Sequence, residues 1–220
     1  MFKGHCFPAS IIKPTVYLKL RFSLSYRDIE ELLRMRGVKV DHATIQRWVF
    51  KFTPIFETNF RTRKRSVGDR WRMDETYVKI KGQWMYLYRA VDKQGMTIDF
   101  LLSPNRKKRS AHAFLIKAIN QNGLPSLINI DKSGANKAGI KVYNKRNWTK
   151  IKWRQCKYLN NIVEQDHRFI KWRVGPMLGF KSFESAKRTL AGIELVRMLK
   201  KGQLIDPKSS AYKSFCSLAA

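Results

Sequence analysis

The chain is 220 residues long and carries 45 Lys and Arg against 16 Asp and Glu, a formal net charge of +29. Its 44% hydrophobic and 12% aromatic content supplies the mass of a packed core and excludes a disordered basic tail. No run of eighteen apolar residues and no secretory leader pattern occurs, which argues against a membrane protein and for a cytoplasmic one whose field attracts nucleic acid.

The apolar segment Ile11 to Phe22 predicts a first helix, with Pro14 in its first turn or kinking it. Ser25 and Asp28 form a capping-box pattern ahead of Ile29, Leu32 and Leu33, and Gly37 supplies a stop, so a helix is expected over about 26–36. Asp41 then caps a further helix with Ile45, Trp48, Val49 and Phe52 on one face. His42, Thr44, Gln46, Arg47 and Lys51 point elsewhere. The set has the pattern of a helix-turn-helix DNA-binding unit, although an ordinary helical pair would share it. Residues 61–70, RTRKRSVGDR, read as a basic linker that either touches phosphates or is simply solvated.

Beyond the linker the hydrophobic period falls to two. RWRMDETYVKI, QWMYLYRAV and MTIDFLL predict three antiparallel strands, with turns at Lys81-Gly82 and from Asp92 to Gly95. A helix near 108–120, the apolar strand LINI at 127–130, a helix near 134–145, a strand around 151–155 and helices at about 160–173 and 183–200 follow. This β-β-β-α-β-α-β-α order is that of a ribonuclease H-like α/β fold, a mixed sheet with flanking helices. The expected organisation is a small all-α helix-turn-helix domain at 1–60, the linker at 61–70, the ribonuclease H-like domain at 71–205 and a tail at 206–220. In the last helix Phe183, Leu190, Ile193, Val196 and Leu199 suit a core or an interface, and core is the favoured reading. Cys6, Cys156 and Cys216 are odd in number and lack zinc-ligand spacing, so they read as reduced structural thiols.

Three carboxylates stand out from this background. Asp131 is the single acidic residue between Phe100 and Val163, amid fourteen Lys and Arg, and it directly follows LINI. The C-terminal end of a buried strand is where α/β sheets place functional groups, though a helix N-cap would look the same. Asp74 lies inside a strand, where Asp is disfavoured, and Glu75 beside it must face the other way. Alternation leaves open which of the two faces a site. Glu164 begins a helical row with His167, Arg168 and Lys171, giving one carboxylate and three basic or titratable groups on a face. That combination suits a hard divalent cation next to DNA phosphates, and equally a salt-bridged surface helix.

SYRDIEELLRMRGVKVDHATIQRWV at 25–49, MDETYVK at 73–79, GQWMYLYRAVD at 82–92, INIDK at 128–132, YLNNIVEQDH at 158–167 and LGFKSFESA at 178–186 resemble bacterial insertion-sequence transposases of the IS-six family. The likeness spans roughly residues 1–205. It implies a DDE-type enzyme whose triad falls on Asp74, Asp131 and Glu164, with Mg²⁺ or Mn²⁺, as two ions, as the cofactor. It gives Lys171 a DNA-contacting role beside Arg168, and His167 a supporting one. It further implies double-stranded DNA as partner (terminal inverted repeats and target), a homo-oligomer, and a nucleoid location. His42, Thr44, Gln46 and Arg47 become the residues expected to read base edges. Departures are the 32 residues between Asp131 and Glu164, about two fewer than the family pattern, Gly134 at a helix start, and an unmatched tail after Gln203. A catalytically decayed DNA-binding remnant is the alternative these departures raise.

Overall fold

The computed structural model describes every residue except Met1, Lys3, His5, Ser133 and Ala220. In chain order its elements are α1 (Ala9–Arg21), α2 (Tyr26–Arg34), α3 (His42–Arg61), β1 (Arg70–Ile80), β2 (Gln83–Asp92), β3 (Thr97–Ser103), α4 (Lys108–Asn122), β4 (Leu127–Ile130), α5 (Gly134–Asn147), β5 (Lys152–Gln155), α6 (Lys157–Val174), α7 (Phe183–Lys200) and α8 (Ala211–Ser217). Packing divides them into two compact units, residues 66–172 and residues 1–65 with 173–220.

The second half of that division differs from the boundary expected at 205. Leu190, Ile193, Val196 and Leu199 of α7 are buried as anticipated, with Phe183 left half-exposed, but their helix packs on α1, α3 and α8. The segment 206–220 is not a plain tail. Its helix α8 is N-capped by Ser210, and Phe215 packs tilted against Phe56 of α3 at 4.4 Å between ring centroids. Sequence patterning missed α8 because seven residues make too short a period to read. Pro14 lies inside α1, beyond its first turn. In the same unit, Ser25 and Asp28 form the expected reciprocal capping box at α2, and Asp41 caps α3 through Thr44. Helix α3 runs to Arg61, its face of Ile45, Trp48, Val49, Phe52, Phe56 and Phe60 fully buried. The linker expected at 61–70 is partly structured, since Lys64 bridges to Leu204 and Arg65 N–H donates to the Gln203 carbonyl.

The unit of residues 66–172 is a five-stranded sheet in the order β3-β2-β1-β4-β5, with β1–β2 and β2–β3 antiparallel and β1–β4 and β4–β5 parallel. This is the ribonuclease H-like arrangement that the element order predicts. The β1–β2 turn is two residues long, and Lys81 (φ 49°) and Gly82 (φ 78°) both take the left-handed conformation that such a tight hairpin demands. One sheet face carries the core: Trp71, Met73, Tyr88, Ile128 and Ile130 pack against Phe114, Leu115 and Ala118 of α4 and Ile140 and Tyr143 of α5.

Helices α4 and α5 pack closely at Gly139. A Cβ there would meet Ala111 Cβ at 2.8 Å and the Ala111 and His112 backbone at 3.2 Å. Because backbone cannot yield as a side chain can, Gly139→Ala is expected to cost about 1–3 kcal/mol in urea denaturation. An unchanged unfolding midpoint would refute this packing.

Candidate active site

The face of the sheet opposite the core belongs to α6. Alternation places Arg72 and Asp74 of β1 on that face, together with Asn129 of β4, the register partner of Arg72. The start of α6 is tied down by these polar groups. Arg72 Nε donates to the Leu159 carbonyl at 2.9 Å, Asn129 Nδ2 donates to Asn160 Oδ1 at 2.6 Å, and Asn160 Nδ2 donates to the Met73 carbonyl at 3.4 Å. Glu164 lies one helical turn beyond the anchored Asn160, and His167 nearly one more, so both come to the side of α6 that meets Asp74. Asp131, two residues beyond Asn129, sits past the end of β4 and is half-buried.

The three carboxylates therefore come from strand, strand end and helix, and Asp74 registers all of them. Burial first, then the Glu75 charge, pushes its carboxyl up to about 7. Asp131 and Glu164 push the same way, against a hydrogen bond from the Glu75 backbone N–H. Glu164 itself is exposed. Among the described residues, no three His, Cys, Asp or Glu side chains are gathered closely enough to form a ready-made metal-ligand cluster.

His167, read from sequence both in the DNA-facing row of Glu164 and in a supporting role, is buried, with Nδ1 3.6 Å from Asp74 Oδ2, which is beyond hydrogen-bond length. Burial, followed by the positive charges of Arg89 and Lys171, lowers its imidazole to about 3, against the pull of Asp166, so the ring is neutral at physiological pH. The helix has too few faces for one row to stay outside: Glu164, Arg168 and Lys171 are exposed, while His167 turns under them.

Two features escaped sequence reasoning. Arg89 of β2, the cross-strand partner of Asp74, is fully buried and donates to Asp166 of α6 at 2.6 Å. Glu75, facing away from Asp74, is nearly sealed: Arg106 Nε donates to its Oε1 and Asn136 Nδ2 to its Oε2 at 2.9 Å. The same guanidinium reaches Asp131 Oδ2 through Nη2 at 3.3 Å. A charge inside the apolar run QWMYLYRAV was the available hint of the first, and the paired acids of MDET of the second.

In the helical unit, His42 is held by Glu30, which accepts from its backbone N–H at 3.0 Å and lies 2.9 Å from its Nδ1. Thr44 is half-buried and donates to the capping Asp41, and Arg47 donates to Thr44 Oγ1 at 2.7 Å. Gln46 is exposed beside them.

A family model described as a DDE domain matches residues 68–203, and another, described as the Transposase IS66 family, matches residues 4–127. The chain is 42% identical over 204 residues to the transposase for insertion sequence-like element IS431mec of Staphylococcus aureus, covering 91% of this chain and 88% of that protein. Identity and coverage are the same for the transposase of insertion sequence element IS257 in transposon Tn4003, from the same species. Among solved structures, it is similar to the HTLV-2 integrase catalytic core domain in complex with magnesium in its dimeric form. That match has 17% identity and a TM-score of 0.49, over 70% of this chain and 99% of that one. Sheet topology and family match together define a polynucleotidyl transferase of DDE type. More narrowly, the chain belongs to the DDE superfamily of insertion-sequence transposases, and its function is DNA transposition.

Proposed function

We propose that Asp74, Asp131 and Glu164 are the catalytic carboxylates, and that they cut DNA at the element's terminal inverted repeats and join the freed ends to target DNA. The observation that carries this reading is that acids from three separate elements lie within one field: burial and then Glu75 raise Asp74 to about 7, and Asp131 and Glu164 add to the same shift. Neighbouring acids, all hard oxygen donors with no thiolate among them, fit Mg²⁺ or Mn²⁺. Two such ions, when bound, activate an attacking oxygen and stabilise the leaving one in an in-line displacement.

The chain's own residues supply the rest. Behind Asp74 lies the neutral His167, which adds no positive charge that would compete with a cation. Arg168 and Lys171, exposed on the helix of Glu164, offer charge to DNA phosphates. Helix α3 reads the terminal repeats through Gln46 and Arg47, with Thr44 and His42 fixing its start, in the manner of a helix-turn-helix. Holding two DNA ends at once calls for a homo-oligomer, acting at the nucleoid in the cytoplasm. No helix is long and apolar enough to cross a membrane among the described residues.

The test is incubation with labelled duplex carrying the terminal repeats, in Mg²⁺, Mn²⁺ or EDTA, with products resolved on denaturing gels. Metal-dependent nicks and joined strands are expected from the wild type. Asp131→Ala and Glu164→Ala should lose at least about a thousandfold in rate while still binding DNA. DNA binding without product in either metal would identify a decayed, binding-only protein.

A further inference from the structure

Glu75 is a buried carboxylate beside the proposed triad that the reaction itself does not use. Its side chain is 2% exposed, and both oxygens are engaged, Oε1 by Arg106 and Oε2 by Asn136 of α5. Arg106 follows β3 and divides its guanidinium between two acids. The Nε edge is committed to Glu75, while Nη2 only leans on Asp131, 3.3 Å away and at a side chain 34% exposed.

An arginine this close to a metal carboxylate is a rival cation. A guanidinium can pair with a carboxylate through two parallel hydrogen bonds, and Asp131 so paired would lack free oxygen for a divalent ion. The hold of Glu75 on the Nε edge opposes a turn of Arg106 fully onto Asp131. We infer that Glu75 is a positioning residue that sequesters Arg106, so leaving Asp131 available to the divalent cation. This rests on Asp131 being a metal ligand, as proposed above.

The two acids of MDET then have opposite duties set by strand alternation. Asp74 looks toward α6 and contributes to the site; Glu75 looks toward α5 and removes a competitor from it. Asn136 satisfies the second oxygen of this buried carboxylate, which would otherwise be costly to keep ionised.

The test is Mn²⁺ binding to the full chain without DNA, read from the free-Mn²⁺ signal by electron paramagnetic resonance. The proteins compared are wild type, Glu75→Gln, Arg106→Gln, the double variant and Asp131→Asn. Glu75→Gln, which frees Arg106, is expected to weaken Mn²⁺ binding roughly 10-fold or more. Arg106→Gln should bind at least as tightly as wild type, and the double variant should follow Arg106→Gln. Wild-type affinity in Glu75→Gln, or a double variant as weak as Glu75→Gln, would overturn the inference. Should Glu75→Gln not fold, weakened binding in Arg106→Gln would overturn it instead, since Arg106 would then be aiding the metal. If Asp131→Asn binds Mn²⁺ as well as wild type does, the proposed metal site fails and this inference with it. Weakening there, with Glu75→Gln unchanged, removes only the role given to Glu75.

Discussion

Replacing Asp74 by Asn is expected to yield a protein that melts higher than wild type at pH 8 and performs no strand transfer. In the folded chain the Asp74 carboxyl titrates at about 7, well above the usual carboxylate value, because burial and the charges of Glu75, Asp131 and Glu164 all disfavour its ionised form. A group whose folded pKa is raised contributes stability that is complete below its unfolded value, near 4. That contribution is lost as pH rises through about 7. Above pH 7 the wild type therefore bears an ionised, crowded carboxylate that asparagine does not. The difference is on the order of 2–4 kcal/mol, or roughly 5–10 °C in melting temperature. Melting curves at pH 5 and pH 8 test the sign: the gap in favour of Asp74→Asn should open between them. A gap that stays constant with pH would mean that Asp74 is not in a crowded field. Loss of strand transfer, by at least about a thousandfold, follows from removing an oxygen of the proposed metal site. Stability surrendered at a position proposed for catalysis is a common trade in enzymes.

The parts of this architecture that were legible in the sequence are those governed by local rules. The capping box at Ser25 and Asp28, the Lys81-Gly82 hairpin, the apolar strand LINI and the period of α6 each depend on residues a few positions apart, and each lies where expected. Asp131 stood out because it is alone among bases and ends a strand. Long-range features did not show. Nothing near residue 190 reveals that α7 packs on α1 and α3, because its apolar residues would suit any core. The burial of His167 was equally hidden. A helical row tells which residues share a face, but which row turns inward is decided by the neighbour, here β1 with Asp74. The choice between Asp74 and Glu75, which alternation left open, depends on which sheet face receives α6, and that is a property of the whole unit.

Arg89 and Asp166 make the sharpest case of a long-range dependence, being 77 positions apart and almost wholly buried, at 0% and 5% exposure. Arg89→Met is expected to destabilise the protein by roughly 3–5 kcal/mol, since it takes a buried guanidinium away from the Asp166 carboxylate in a place water barely reaches. Replacing both partners, as in Arg89→Met with Asp166→Leu, should cost markedly less, because no charge is then left uncompensated. Chemical denaturation of the two single variants and the double separates these outcomes, and a loss below about 1 kcal/mol in Arg89→Met would show that the pair is not structural. The effect should reach function even where the variant remains folded. Asp166 lies two residues from Glu164, and its grip on Arg89 fixes α6 over the strand pair that carries Asp74. Releasing that grip lets Glu164 drift from its partners, and misplacement of about 1 Å is enough to cost on the order of a hundredfold in rate. Strand transfer by Arg89→Met, measured well below its melting temperature, should thus fall more than its folded fraction accounts for.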